Sequence, residues 1–175
     1  KYLADHDHFT PFTHATVTMR EKVPLFVARQ RFKHTIGFSY NEVSRRYVDE
    51  APEFYKPDEW RGKATDKKQG SSDVVIDINP LTLYGRRSMI DDYDQAVSRC
   101  DWVYKQMVQK GVCPEQARMV LPQSMYTEYY VTGSLYAWAR AYNLRSTDDA
   151  QQEIQDLAKE WADIMIMLFP ESWIA

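Results

Sequence analysis

Cysteine is nearly absent. Cys100 and Cys113 are the only two in 175 residues, too few and too far apart for a disulfide framework or a Cys-x-x-Cys metal site. Free thiols suit a reducing compartment, so a cytoplasmic location is expected. Long apolar runs are also missing: the longest, Ile164 to Phe169, falls far short of the roughly 20 residues that span a bilayer. No membrane partner is expected. Nor is there an excess of positive charge. The 22 Lys and Arg against 25 Asp and Glu leave a net charge of -3, which excludes a whole-protein basic field for nucleic acid. The chain contains no GxGxxG, GxxxxGK[ST] or GxSxG, so Rossmann, P-loop and α/β-hydrolase readings lack their local signatures. Its four histidines, His6, His8, His14 and His34, form no His-Glu-x-x-His, and no metal site is assigned to them.

What is present is an ordinary globular composition, 44% hydrophobic and 27% charged, in a length that fits one domain. Aromatic residues reach 14%, which suits either an aromatic core or stacking surfaces for planar ligands. Residues 15–21 alternate as a short half-buried strand. Pro24 then occupies a first-turn position, and Leu25 to Lys33 reads as a helix. Thr35 to Tyr47 has no clean period and reads as a structured loop; Glu50 to Asn79 reads mainly as loop, with Val74-Val75-Ile76 as a brief strand. A helix is expected from Met89 to Lys110, with its apolar stripe on Tyr93, Ala96, Val97, Cys100, Tyr104, Met107 and Val108, and with Gly111 as its C-terminal cap. Pro114 opens a short helix through Val120. Met125 to Val131 is β-prone, yet it lies against Leu135–Tyr142, which reads helical, and the boundary between them is open. The last helix is expected from Thr147 or Asp148 to Phe169, with Asp148 and Asp149 at the positive end of its dipole. The sum is one α+β (mixed α/β) domain over residues 1–175, a central antiparallel sheet flanked by helices. The chain opens on Lys1, and Tyr2-Leu3-Ala4 reads as the end of a helix already under way, so a missing N-terminal segment is expected.

Chemistry concentrates in Arg29-Gln30-Arg31-Phe32-Lys33-His34 and in Ser39-Tyr40-Asn41-Glu42-Val43-Ser44-Arg45-Arg46-Tyr47. Planar guanidinium forks suit phosphate, and Ser44 with loop N–H groups could complete an anion cradle. On composition alone the same stretch also fits a solvated charged face.

The wording of these segments resembles the flavin-dependent thymidylate synthases. Gln30 and the string Ser39 to Tyr47 are similar to that family's signature loop. His8 to His14 and Pro24 to Gln30 resemble its preceding segments; Gln116 to Pro122 with Tyr126-Thr127-Glu128 forms a second block, and Asn143-Leu144-Arg145 with Ala150-Gln151 and Glu153-Ile154 a third. The blocks run in family order and leave out residues 56–90. The resemblance implies FAD-dependent methylation of dUMP to dTMP, with methylenetetrahydrofolate as carbon donor and NADPH as reductant, in a homotetramer whose sites lie at subunit interfaces. It implies that Gln30, Glu42, Val43, Ser44, Arg45, Arg46 and Arg118 hold the nucleotide and that Arg145 reaches the uracil. Arg145 is the catalytic candidate; Ser44 has no evident activating base and is assigned to binding. For flavin and folate it implies His8, Thr10, Lys33, His34, Thr35, Glu42, Ser134 and Arg140.

The flavin side departs from the family pattern. Its usual Arg-His-Arg is replaced by Lys33-His34-Thr35, or by His34-Thr35-Ile36 if the loop is aligned without a gap. Ser134, Arg140 and Asp149 stand where asparagine or histidine is usual. Two explanations follow: a divergent branch of the family, viral for instance, with a rebuilt flavin site, or altered chemistry on the same scaffold. The altered chemistries are pyrimidine hydroxymethylation and nucleotide binding without catalysis.

Overall fold

A computed structural model describes residues 2–44, 51–65, 70–78 and 88–174. The elements are α1 (Tyr2–Asp5), a 3-10 turn (Thr10–Thr13), β1 (Thr16–Pro24), α2 (Leu25–Arg31), β2 (Phe38–Glu42), β3 (Arg61–Lys63), β4 (Ser71–Val75), α3 (Met89–Gln109), α4 (Pro114–Ala117), a 3-10 turn (Arg118–Val120), β5 (Tyr126–Ser134), α5 (Leu135–Arg145), α6 (Gln152–Leu168) and α7 (Pro170–Trp173). The fold is mixed α and β in a single domain. No described helix is long and apolar enough to cross a membrane.

A three-stranded antiparallel sheet in the order β1-β5-β2 organises the molecule. Thr16 pairs with Ser134 and Pro24 with Tyr126, while Phe38 pairs with Gly133 and Glu42 with Tyr129. Alternation sends Met19, Glu21 and Val23 from β1, and Thr127, Tyr129, Val131 and Gly133 from β5, to one buried face. The opposite face carries Thr16, Thr18, Arg20, Lys22, Ser39, Asn41 and Tyr130, all exposed. Both long strands run into helices without a loop. Pro24 keeps extended backbone (φ -66°, ψ 152°) as the N-cap of α2, and Ser134 does the same (φ -71°, ψ 156°) for α5, its Oγ accepting from the Ala137 N–H at 3.2 Å. The open boundary before Leu135 therefore resolves as strand followed directly by helix.

Helices α2, α5 and α6 cover the buried face. Val27, Ala28, Leu135, Trp138, Ala141, Ile154, Leu157, Ala158, Trp161 and Met165 form the core with Met19, Val23, Tyr129 and Val131. On α6 the residues at helical spacing, Ile154, Leu157, Ala158, Trp161 and Met165, are buried, while Leu168 is exposed and Ala150 precedes the helix. Helix α3 joins a smaller cluster through Tyr104, with Ala117, Leu121 and Met125. Its expected stripe buries only that residue; Ala96 and Val108 are exposed. Its end is as expected: Gly111 adopts φ 84°, its N–H reaches the Val108 carbonyl at 3.0 Å, and the Val112 N–H reaches Met107 at 2.9 Å. That double closure is a Schellman cap, which requires the left-handed conformation glycine takes without strain.

Three boundaries differ from the sequence reading. The segment read as loop over 35–47 contains β2, because Phe38 and Tyr40, two apart, both point to the buried side. The segment read mainly as loop over 50–79 contains the antiparallel hairpin of β3 and β4. Helix α6 begins at Gln152, since Thr147 to Ala150 close a turn in which the Ala150 N–H reaches the Thr147 carbonyl at 2.9 Å. Asp148 and Asp149 lie in that turn, and Glu153 is the acid in the first helical turn.

Arg31, read as one more cation of a charged helix, is fully buried. Its Nε donates to both oxygens of Glu21, at 3.3 and 3.2 Å, and its Nη1 to the Tyr40 hydroxyl at 2.6 Å. The guanidinium carbon lies 4.4 Å from the Phe38 ring centroid, 4.6 Å from Trp161 and 4.8 Å from Trp138. Nη2 has no oxygen partner among the described residues, and these electron-rich ring faces take that place. Burial pushes the Glu21 carboxyl up, and the Arg31 charge opposes that shift.

Removing one partner strands the other charge in the core. Glu21→Leu or Arg31→Met should each cost about 3–5 kcal/mol in urea unfolding, and the Glu21→Leu/Arg31→Met pair should cost less than their sum. Additive costs would mean that the two side chains are not coupled. Gly133 is a second test. A Cβ there would enter the Phe38 ring and come within 3.2 Å of Trp138 Nε1, so Gly133→Ala should destabilise by about 1–3 kcal/mol. A neutral result would show that the Phe38 ring moves freely.

Candidate functional site

A cavity of about 780 Å³ opens where the last turns of α2 and α5 meet the first turn of α6 and the β3–β4 hairpin. Gln30 and Arg145 line it, together with Gln151 and Glu153 from the start of α6 and Trp60, Arg61 and Ser71 from the hairpin. Phe26, Tyr55 and Tyr93 complete an aromatic wall: Phe26 meets Tyr55 edge-on at 5.6 Å between centroids, and Trp60 meets Tyr93 at 5.4 Å. Planar rings on one side and amides and guanidinium groups on the other suit a flat, polar heterocycle.

The polar side is one connected network. Gln30 Nε2 donates to Gln151 Oε1, and Gln151 Nε2 donates to Glu153 Oε2 at 2.8 Å. Glu153 Oε1 accepts from Arg61 Nη2 at 2.5 Å and from the Tyr55 hydroxyl at 3.3 Å. Arg61 Nε also donates to Ser71 Oγ at 2.9 Å. Burial alone would raise the Glu153 pKa; the bonds from Arg61, its own backbone and Gln151 outweigh it and hold the carboxyl below its usual range. Burial, then the Glu153 charge, pushes the Tyr55 phenol up to about 12. Arg145 Nη2 donates to the Gln30 carbonyl at 3.3 Å, and its Nε to His34 Nε2 at 2.8 Å. Burial first, then the charge of Arg31, shifts Arg145 down.

The charges of this wall balance: Arg61 and Arg145 stand against Glu59 and Glu153. A dianionic phosphate therefore needs cations from beyond the described lining.

The flavin and folate candidates lie around three neighbouring cavities. Lys33, His34, Thr35 and Arg140 line one of about 230 Å³, which Arg145 also borders. Ser134 and Arg140 line a second of about 480 Å³ beside Thr13, Thr16, Ser39 and Thr132. His8 lines a third of about 560 Å³ with Phe9, Phe12, Tyr136, Tyr142 and Trp173. Thr10 is exposed at the start of its 3-10 turn, its carbonyl taking the Thr13 hydroxyl at 2.7 Å. Glu42 Oε1 accepts from Thr127 Oγ1 at 2.7 Å, and the Val43 N–H reaches the Glu128 carbonyl at 2.8 Å. Glu42, Val43 and Ser44 thus leave β2 at the end of the sheet where β5 begins. They do not line the 780 Å³ cavity, and neither does Arg118, exposed on its 3-10 turn. Arg45 and Arg46 lie outside the described residues.

The structure thus brings Gln30 and Arg145 together and sets the Glu42–Ser44 run and Arg118 apart from them. It adds Tyr55, Trp60, Arg61 and Ser71, from segments that no motif or period links to Gln30. Trp60, a lone tryptophan in a charged stretch, was the signal available there.

His34 offers a pH test. Burial first, then the charges of Arg145, Arg31 and Arg140, lowers its pKa from 6.5 to about 4. A base whose folded pKa lies below its unfolded value contributes stability above pH 6.5, and that contribution is lost as pH falls from there through about 4. In an NMR titration assigned with His34→Gln, the imidazole should remain neutral at pH 6. Titration near 6.5 would remove the contact with Arg145.

Residues 1–171 match the family described as Thy1, thymidylate synthase complementing protein. A flavin-dependent thymidylate synthase of Thermosipho africanus is 39% identical over 163 residues, covering 93% of this chain and 68% of the relative. The protein of that name from Thermus thermophilus is 36% identical over 174 residues, 99% of this chain and 61% of its own. That of Streptomyces coelicolor is 33% identical over 177 residues, 94% of this chain and 70% of its own. With nearly its whole length matched, the chain belongs to the Thy1 family.

Proposed function

We propose that the chain is a flavin-dependent thymidylate synthase, which methylates dUMP to dTMP with methylenetetrahydrofolate as carbon donor and NADPH as reductant. The observation that carries this reading is the convergence of Gln30 and Arg145, from α2 and α5, on one cavity with an aromatic wall. Gln30 presents an amide and Arg145 a fixed cation, the groups that hold and polarise a pyrimidine carbonyl. Trp60, Tyr55 and Phe26 offer ring faces and edges to the base. Cys100 is half-buried on α3 and Cys113 exposed before α4, and neither lines the cavity. The described lining therefore supplies no thiolate to attack the base.

FAD fits the neighbouring donors. Lys33 and Arg140 are exposed cations suited to a pyrophosphate, and Thr13, Thr16, Ser39, Thr132 and Ser134 offer hydroxyls to a sugar or ribityl chain. Ser134 Oγ is engaged by the Ala137 N–H and keeps its own proton to donate. Bound there, the flavin supplies the hydride that completes the methyl group. The protein's own part is to hold nucleotide and folate in register and to exclude water from the aromatic wall.

The balanced wall also supports a homotetramer with shared sites. In this reading the phosphate is gripped by Ser44, Arg45, Arg46 and Arg118 of a second copy, with Glu42 and Val43 at the same loop. The polar, exposed face of the sheet is a surface on which copies could meet.

Purified protein should be yellow and convert dUMP to dTMP. Hydroxymethyl product by mass spectrometry, or colourless protein that only binds nucleotide, would replace the methylation reading. Arg118→Ala and Arg145→Ala should each weaken dUMP binding by about 1.5–3 kcal/mol. Co-assembling the two variants should restore activity that neither has alone, because some sites would then draw intact residues from both. No restoration would place all these groups in one chain's site.

A further inference from the structure

We infer that His34 is a positioning residue for Arg145: its imidazole Nε2 accepts from the guanidinium Nε and thereby aims the rest of the fork into the 780 Å³ cavity. The inference rests on the nucleotide-site reading and assigns His34 to the nucleotide side, where the family resemblance implies a flavin contact.

The geometry is specific. Arg145 is held at two points, Nε by His34 at 2.8 Å and Nη2 by the Gln30 carbonyl at 3.3 Å, and its Nη1 takes part in neither bond. A guanidinium is planar, so two anchored nitrogens define the direction of the third. His34 is in turn fixed through its backbone: its N–H donates to the Arg31 carbonyl at 3.1 Å, and its own carbonyl accepts from the Tyr40 hydroxyl at 2.7 Å. That hydroxyl also takes the bond from buried Arg31 Nη1 at 2.6 Å. A continuous path of hydrogen bonds thus leads from the core pair to the cation at the cavity.

The contact works only with a neutral ring. Accepting at Nε2 places the single imidazole proton on Nδ1, and a doubly protonated ring would set two cations face to face. Arg31, Arg140 and Arg145 surround His34, and together with burial they favour the neutral form. The neighbouring Lys33 and Thr35 are exposed, and neither is the acceptor for Arg145.

The test separates an acceptor from a space-filler and from a flavin ligand. In dUMP titration calorimetry, His34→Ala should weaken binding roughly tenfold. His34→Gln, whose side-chain oxygen can accept, should recover most of that loss, and His34→Lys should not. In an Arg145→Ala background, His34→Ala should cost nothing further. Flavin content should stay at the wild-type level throughout. Unchanged nucleotide affinity in His34→Ala, an equal loss in the Arg145→Ala background, or flavin loss with affinity intact would each overturn the inference. A ligand-free readout keeps it distinct from the function itself: the Arg145 Nε–H resonance should be protected in wild type and in His34→Gln, and exchange-broadened in His34→Ala. Loss of that protection in a protein that does not bind dUMP would sustain the contact and remove the nucleotide reading. Protection that survives His34→Ala would remove the contact.

Discussion

The interaction on which the rest depends is the buried pair of Arg31 and Glu21. An isolated charge in a protein core costs several kcal/mol, so each is tolerable only because the other is there, with Nη1 bonded to Tyr40 and aromatic faces around the guanidinium. Glu21 comes from β1, Arg31 from α2, Tyr40 from β2, and the surrounding rings of Trp138 and Trp161 from α5 and α6. One guanidinium thus pins three helices and two strands to a common point. A purely apolar core would tolerate small slips of helix over sheet; a directional cation among rings does not. The cluster lies one residue from Gln30 and one hydrogen bond from His34, so the precision it imposes is delivered to the cavity.

Two kinds of group compose that cavity. Gln30, Arg145, Gln151 and Glu153 sit on helix termini anchored in the core. Trp60, Arg61 and Ser71 come from the β3–β4 hairpin, which meets α6 through the Arg61–Glu153 pair and α3 through the Trp60–Tyr93 ring contact. Charge neutrality within the described lining makes that wall a poor phosphate site and a good site for an uncharged heterocycle.

How much was legible beforehand follows from what kind of information each element uses. β1, α3, α5 and α6 were readable because each carries its own period, and the α3 end because Gly111 is a local signal. β2 was missed because only two aromatics mark it, and five residues give alternation little room. Of the β3–β4 hairpin, Val74 and Val75 were read as strand, whereas the start of β4 is polar and β3 is only three residues long, too short to show alternation. The burial of Arg31 was hidden for another reason: composition counts it as one cation among several. Yet the pattern was present. Glu21 is in phase with Met19 and Val23 on the strand, and Arg31 lies four residues from Val27 on the helix, so both fall on inward positions. Gln30 and Arg145 were identified by resemblance, and their meeting is a matter of tertiary structure. Arg61 and Trp60 had no block to point to them.

The seamless passage from β1 into α2 and from β5 into α5 has an evolutionary consequence. With no linker to absorb it, one residue inserted at either junction would turn the whole following helix by about 100°. Gln30 or Arg145 would swing away from the cavity, and at the first junction Arg31 would leave its cage. Length changes in this lineage must accumulate elsewhere, in surface connections that no side chain of the cavity depends on for its bearing.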